Sequence, residues 1–424
     1  MVALLAPFAF AADDWHHAPD AIRAVLDAPE LPTSRVSPDG RQVLLTTPVR
    51  YPPIADLAAP MHRLAGMRVD PRTGGYHTPS YAIDPALVAV ADGSRVEVNL
   101  PDDVRVLGAE WSADADRVAF VGQRPEHLGL WLADLHGQVV EVPGLTLVPL
   151  LGSAVQWLPD QEHLLVKRVP TARGAPPVPP AAPSGPTLRD SGGDTPSSTY
   201  EARDLLTSTY DETLFEHFST SQLAIVDAAT LSVTDVGPPD LYVGASASPD
   251  GRWLLVQRLR PPWSWRVSWW RFAREVEVWS RAGVRVATVA SLPVADHVPI
   301  DGVPTGPRDV SWRPTSPATL TWTEALDGGD PRAKVPHRDR LLQLSAPFAG
   351  KPATLLDATH RVVSLAFTER GSALVEEDEW ERRWRHALVV DPDGGPRSAR
   401  PLFVRRITSG VCHAALNSDR TSNR

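Results

Sequence analysis

One short unit recurs along this 424-residue chain and limits its fold more than any other feature. Val36-Ser-Pro-Asp-Gly-Arg-Gln-Val-Leu-Leu45 is the first copy, and Ser248-Pro-Asp-Gly-Arg-Trp-Leu-Leu-Val256 is the cleanest. Trp111-Ser-Ala-Asp-Ala-Asp-Arg-Val-Ala-Phe120 and Trp157-Leu-Pro-Asp-Gln-Glu-His-Leu-Leu-Val166 lie between them. Weaker copies begin at Trp312 and Phe367. The Ser-Pro-Asp-Gly core is turn material. Proline fixes φ at the second position, aspartate bonds neighbouring main-chain groups, and glycine accepts positive φ. An apolar residue before the turn and an apolar run after it read as two strands joined by a tight hairpin.

Each unit has a second strand-turn-strand half, as in Leu130-Trp-Leu-Ala-Asp-Leu-His-Gly-Gln-Val-Val140 and Leu223-Ala-Ile-Val-Asp-Ala-Ala-Thr-Leu-Ser-Val233. Two hairpins make a four-stranded antiparallel sheet, and such sheets set radially make a β-propeller. The expected fold is therefore all-β, with six recognisable blades starting near residues 37, 112, 158, 248, 313 and 368. These starts are mostly further apart than the roughly 40–50 residues one blade requires, so the blades carry insertions. The surplus of proline (43) over glycine (28) agrees with many turns and strand ends rather than long helices.

Several function classes drop out on composition. The chain carries 42 basic against 51 acidic residues, a net charge of −9, which disfavours nucleic acid as a partner. It has no run of eighteen apolar residues, so no membrane-spanning helix is expected. Its one cysteine, Cys412, can form no internal disulfide and no thiolate zinc site by itself. Only Lys167, Lys334 and Lys351 are lysines; the arginine bias suggests a GC-rich, bacterial coding sequence.

At the start, residues 1–11 are apolar, and Ala9-Phe10-Ala11 has the small-x-small form of a signal-peptidase site. This predicts a signal peptide and a periplasmic or secreted protein. No Lys or Arg precedes the run, and if it is only a frayed terminus the protein stays cytoplasmic. Residues 12–35 form an N-terminal helical segment: Pro19 suits a first helical position, and Ile22, Val25 and Leu26 share one face. The propeller is expected over 36–403. Its insertion at 169–200, rich in Pro, Ala, Ser and Gly, cannot bury enough apolar surface to order itself. Residues 204–217 read as one or two short helices. Residues 404–424 are atypical, with the only cysteine and two of the three asparagines, and predict a disordered tail and a frameshifted or truncated reading frame.

Other stretches carry a resemblance. Ile22-Arg-Ala-Val-Leu-Asp-Ala-Pro29, Pro52-Pro-Ile-Ala-Asp-Leu-Ala-Ala-Pro-Met-His-Arg-Leu-Ala-Gly-Met-Arg68, Tyr210-Asp-Glu-Thr-Leu-Phe-Glu-His-Phe-Ser-Thr-Ser-Gln-Leu223 and Glu324-Ala-Leu-Asp-Gly-Gly-Asp330 followed by Val335-Pro-His-Arg-Asp-Arg340 resemble one family. It is the N-terminal propeller portion of serine peptidases of the prolyl oligopeptidase clan, on the bacterial glutamyl endopeptidase branch. The resemblance spans residues 15 to 400. It implies a seven-bladed complete propeller that admits peptides and excludes folded proteins, followed by an α/β-hydrolase domain with the Ser-His-Asp triad. This sequence contains no Gly-x-Ser-x-Gly; Gly244-Ala-Ser-Ala-Ser248 lacks the last glycine and runs into a blade hairpin. No catalytic, cofactor-binding or metal-ligating residue is assigned, and the chain by itself is expected to be inactive. The alternative is a stand-alone periplasmic propeller that scaffolds protein contacts.

Four segments invite a site and have a plainer explanation. His16-His17 match no ligand spacing and read as a solvated end. Trp263-Ser-Trp-Arg-Val-Ser-Trp-Trp-Arg-Phe-Ala-Arg274 could stack bases, but in a repeat sheet its aromatics pack blade against blade. Glu376-Glu-Asp-Glu-Trp-Glu-Arg-Arg-Trp-Arg385 reads as cross-strand charge pairing rather than a calcium site, because consecutive acids on a strand alternate faces. The loop after Leu326 carries Arg332, Lys334, His337, Arg338 and Arg340. If the resemblance holds, Arg332, His337, Arg338 and Arg340 are candidates for contact with acidic peptides; otherwise the loop is a solvated connection.

Overall fold

The computed structural model describes residues 18–77, 80–181 and 202–407. The apolar segment 1–11, His16–His17, most of the Pro/Ser/Gly-rich insertion and the chain beyond 407 lie outside the described residues.

Six four-stranded antiparallel blades follow one another along the chain. Blade one comprises Thr33–Val36, Gln42–Pro48, Ala82–Ala89 and Arg95–Glu97. Blade two comprises Arg105–Trp111, Arg117–Gln123, Leu128–Asp134 and Val139–Glu141. A single bridge, Ala82 to Val106, links these two sheets. Blade three is Val155–Trp157, His163–Arg168, Ser221–Asp227 and Val233–Asp240, and blade four is Tyr242–Ala247, Trp253–Leu259, Arg274–Ser280 and Arg285–Leu292. Blade five is Arg308–Trp312, Thr319–Ala325, Asp339–Ser345 and Ala353–Ala358; blade six is Arg361–Phe367, Ala373–Glu379, Trp384–Val390 and Arg400–Arg406. The fold is the all-β propeller that the repeat predicts.

The repeated turn owes its shape to side chain–backbone bonds. Ser37 Oγ donates to Asp39 Oδ1 at 2.6 Å and accepts from the Gln42 N–H at 2.9 Å. Gly40 then sits at φ +72°. The cleanest copy repeats this: Ser248 Oγ accepts from the Trp253 N–H at 3.1 Å, and Gly251 has φ +69°. Where the glycine is lost, the conformation stays: Ala115 and Gln161 hold φ values of 65° and 58°. Gln161 is compensated by its own side chain, which accepts from the Ala113 N–H across the blade boundary at 2.5 Å.

Apolar cores lie between successive blades. Leu44, Leu87, Trp111, Val118, Phe120 and Trp131 pack blade one on blade two. Leu341, Leu355, Leu356, Val362, Ala373 and Val375 pack blade five on blade six. Ion pairs add to the last boundary. Arg313 makes two 2.8 Å bonds to Asp393, and Arg361 reaches from blade six to the fully buried carboxylates of Asp327 and Asp339.

Three elements differ from expectation in detail. The N-terminal helix is Asp20–Leu26, with Pro19 as its cap rather than its first residue, and its apolar face is exposed at Ile22, Val25 and Leu26. The helical stretch expected over 204–217 is one element, Thr209–Ser219. It starts later because Ser208 caps it, accepting from the Asp211 N–H at 3.1 Å. The last strand runs to Arg406, since Val404, Arg405 and Arg406 pair with His386, Arg385 and Trp384. No helix of the described residues is long and apolar enough to cross a membrane.

Candidate functional site

The antiparallel order puts the same connections of every blade on one face. Those between second and third strands lie there, as do those from one blade to the next. The large insertions are all of this kind: 49–81 in blade one, 169–220 in blade three and 260–273 in blade four. They meet and form a core of their own. Leu64, Met67 and Val69 from the first, Leu214, Phe215 and Phe218 from the second, and Trp263, Trp269 and Phe272 from the third share one buried cluster. The insertions thus build a cap over one face of the propeller.

Each contributor is locked by polar contacts. In the blade-one insertion, strands His62–Leu64 and Met67–Val69 form a two-stranded hairpin. It turns through Ala65 and Gly66, both at positive φ, as a two-residue hairpin requires. A Cβ on Gly66 would come within 2.5 Å of Ser268 Oγ, so close approach also demands glycine here. The Gly66 N–H donates to the Asp204 carbonyl at 2.8 Å, and the Trp269 N–H donates to the Ala65 carbonyl at 2.9 Å. Arg63 and Arg68 both pair with Asp204. The indole N–H groups of Trp263 and Trp265 donate to Glu216 and Glu212 of the helix, each at 2.7 Å. Phe215 meets Trp263 edge-on at 5.3 Å between centroids, and Trp263 stacks on Phe272 at 5.6 Å. The tryptophan-arginine segment therefore packs inward, with Trp270 left exposed. A cavity of about 480 Å³ opens at the cap's edge, lined by Met61, His62, Arg63, Asp204, Thr207 and Asp211 among others.

Both ends of the blade array open on this capped face. Thr33 pairs with Thr46, just before the second strand runs into the blade-one insertion. Arg406 pairs with Trp384, and the Ile407 N–H donates to the Arg383 carbonyl at 2.8 Å, beside the 380–383 turn.

The basic loop of blade five lies on the same face. Two of its four candidate residues are already neutralised: Arg338 bonds Asp327 at 3.0 Å, and Arg340 makes a two-pronged pair with Asp357 at 2.6 and 3.1 Å. Burial raises the Asp327 carboxyl, but Arg361, the Gly329 N–H and Arg338 outweigh it and hold the group below the usual carboxylate range. Hydrogen bonding from Arg340 lowers Asp357. Arg332 and His337 are exposed, as is Lys334 between them. The acidic run of blade six pairs as cross-strand register predicts: Arg385 bonds Asp378 at 2.7 and 2.9 Å and approaches Glu376.

Sequence reasoning did not see the cap. Its three parts lie far apart in the chain, and each alone looks like a loop. Gly66 between two short apolar runs was the one local signal in the sequence. A grouping of His360, Glu379 and His386 also went unseen, because its members are brought together by strand pairing and a connection rather than by sequence spacing.

Comparison with known proteins finds curated relatives in sequence. The chain is 31% identical over 406 residues to a probable chloroplastic glutamyl endopeptidase of rice (Oryza sativa subsp. japonica), a match covering 91% of this chain and 43% of the relative. The Arabidopsis thaliana protein of the same description is 32% identical over 405 residues, covering 91% and 42%. Over nine-tenths of its length the chain is thus similar in sequence to part of two proteins described as probable glutamyl endopeptidases. It spans under half the length of these curated relatives. No protein-family model matches it. Among solved structures, the propeller domain of the trilobed protease of Pyrococcus furiosus aligns over 88% of this chain and 83% of its own, at 10% identity and TM-score 0.41. The Pyrococcus horikoshii acylaminoacyl peptidase aligns over 90% and 47%, at 11% identity and TM-score 0.44.

Proposed function

We propose that this chain is the substrate-gating propeller of a glutamyl-preferring serine endopeptidase, exported from the cell that makes it. In this reading the acyl transfer is carried out by a Ser-His-Asp triad on an α/β-hydrolase segment outside these 424 residues. The observation that carries the reading is the 31% identity that runs over nine-tenths of the chain. The geometry supports it. A segment joined at either end of the blade array would sit over the capped face, where peptides would pass between cap and channel. The exposed Arg332, Lys334 and His337 lie on that face and would draw in acidic peptides, with Arg338 and Arg340 holding the loop through their carboxylate partners.

A peptidase assay with glutamate-containing peptides tests this. The purified chain should show no turnover. Fused behind Ile407 to the part of the rice relative that it does not cover, it should cleave after glutamate. Replacing Arg332 and Lys334 by Ala in the fusion should raise KM for acidic peptides at low salt and leave kcat unchanged. Enzyme-like turnover by the chain alone, or a fusion without glutamate preference, would refute the proposal.

A further inference from the structure

A group of three side chains at the boundary of blades five and six has metal-ligand chemistry and no part in the gating reading. His360 lies in the connection between Ala353–Ala358 and Arg361–Phe367. Glu379 ends the second strand of blade six, and His386 lies on the third. Each offers one ligand atom, and the three atoms lie within 4.8 Å of one another. His386 Nε2 is 3.4 Å from Glu379 Oε2, and the two imidazoles stack at 4.7 Å with 24° between their planes. All three are partly buried, so solvent reaches them.

We propose that His360, Glu379 and His386 form a binding site for a divalent transition-metal cation, zinc above all. Two imidazoles and one carboxylate are the ligand set that zinc takes with a fourth position left open. With metal–ligand bonds of about 2.0–2.1 Å, neighbouring ligands of a tetrahedral ion stand about 3.3 Å apart. The His386–Glu379 separation already has that value. At 3.4 Å the pair makes only a long hydrogen bond, which a bound ion would replace. The His360 ligand atom lies within 4.8 Å of the other two and would move closer to complete the third side.

The surroundings hold the ligands in place. The His360 main-chain N–H donates to Glu377 Oε2 at 2.9 Å, fixing the connection against the strand. Glu377 pairs with His386 across the sheet, which sets the register of Glu379 beside it. Arg382 lies 3.3 Å from Glu379 Oε1, so one carboxylate oxygen is oriented by an outer partner while the other faces the histidines. A bound ion would tie the link between blades five and six to the turn at 380–383. That turn borders the last strand of the array, whose residues are all exposed. The site would thus brace the outer edge of blade six, with its open position toward the capped face.

The test is zinc titration of the full, chelator-treated chain by calorimetry, in a background where His16, His17 and Cys412 are replaced by Ala, Ala and Ser. One equivalent should bind. His360→Ala or His386→Ala should weaken it at least tenfold. Cobalt(II) in the unaltered ligand set gives an independent readout: tetrahedral visible bands with no thiolate charge-transfer band. No saturable binding, binding that survives loss of both histidines, or an octahedral cobalt spectrum would each overturn the proposal. The result is separable from the peptidase assays, since it reads metal and not turnover.

Discussion

Trp157 and Glu110 meet across the boundary of blades two and three: the indole N–H donates to the Glu110 carbonyl at 3.3 Å. The same bond recurs at other boundaries. Trp111 donates to the Arg35 carbonyl at 3.2 Å and Trp312 to the Ser246 carbonyl at 3.0 Å. In every case the acceptor is one residue before the tryptophan-equivalent position of the preceding blade. The tryptophan that opens several repeat copies is thus a stitch between first strands, and its apolar body fills the core beneath.

Trp157→Phe keeps most of that body and removes the donor. It leaves the Glu110 carbonyl without its cross-blade partner, so unfolding free energy should fall by about 1–2 kcal/mol. Urea titration followed by circular dichroism reads this directly. A change below a few tenths would mean the carbonyl is satisfied within its own sheet.

The repeated turn gives a second measurement. Gly40 has φ +72° and no heavy atom within 4 Å of where a Cβ would stand. Gly40→Ala therefore isolates the cost of the left-handed conformation, about 1 kcal/mol. Gly108→Ala, also in open space but outside the positive-φ region, is the control and should change stability much less. Equal effects at both sites would contradict the turn geometry.

The blades were legible because their information is local. Ser37, Asp39 and Gly40 sit within four residues and bond to each other, so the motif announces the hairpin that it makes. Even degenerate copies hold: Ala115 keeps the positive φ without the glycine that would have marked it. The cap was not legible because its information is distributed. Asp204 joins the blade-one hairpin to the blade-three insertion through Arg63, Arg68 and Gly66, and no local pattern ties residues so far apart. The basic loop was legible as charge but not as pairing. Arg338 and Arg340 look free in sequence, and only the fold brings Asp327 and Asp357 to them.

Glu110 makes stability depend on pH. Burial pushes its carboxyl up to about 7, while Arg35 and the Trp157 main chain pull the other way. The folded protein therefore holds a proton that the unfolded chain, with an ordinary value near 4.5, has released. The contribution is fully present below about 4.5 and is lost as pH rises through about 7. Glu110→Gln should remove it. The stability of the parent relative to the variant should fall between pH 5 and pH 7, by no more than about 1.4 kcal/mol per pH unit. A flat difference across that window would show that Glu110 is ionised throughout.

Lys167 works in the opposite sense. Its ammonium is buried, donating to the carbonyls of Leu150 at 2.7 Å and of Gly152 and Tyr242 at 3.3 Å each. These acceptors come from the link between blades two and three and from the first strand of blade four, so one side chain pins three segments. Burial pushes its pKa down to about 7 from an ordinary 10.5. Between those values the unfolded chain binds a proton that the folded chain has given up, so stability rises with pH across the window. Against Lys167→Met, which has no titrating group, the parent should gain up to about 1.4 kcal/mol per pH unit above pH 7. Chemical unfolding of both proteins at pH 7, 8 and 9 measures the gain. A relative stability that stays flat over this range would mean the three carbonyls hold the ammonium firmly enough to cancel the effect of burial.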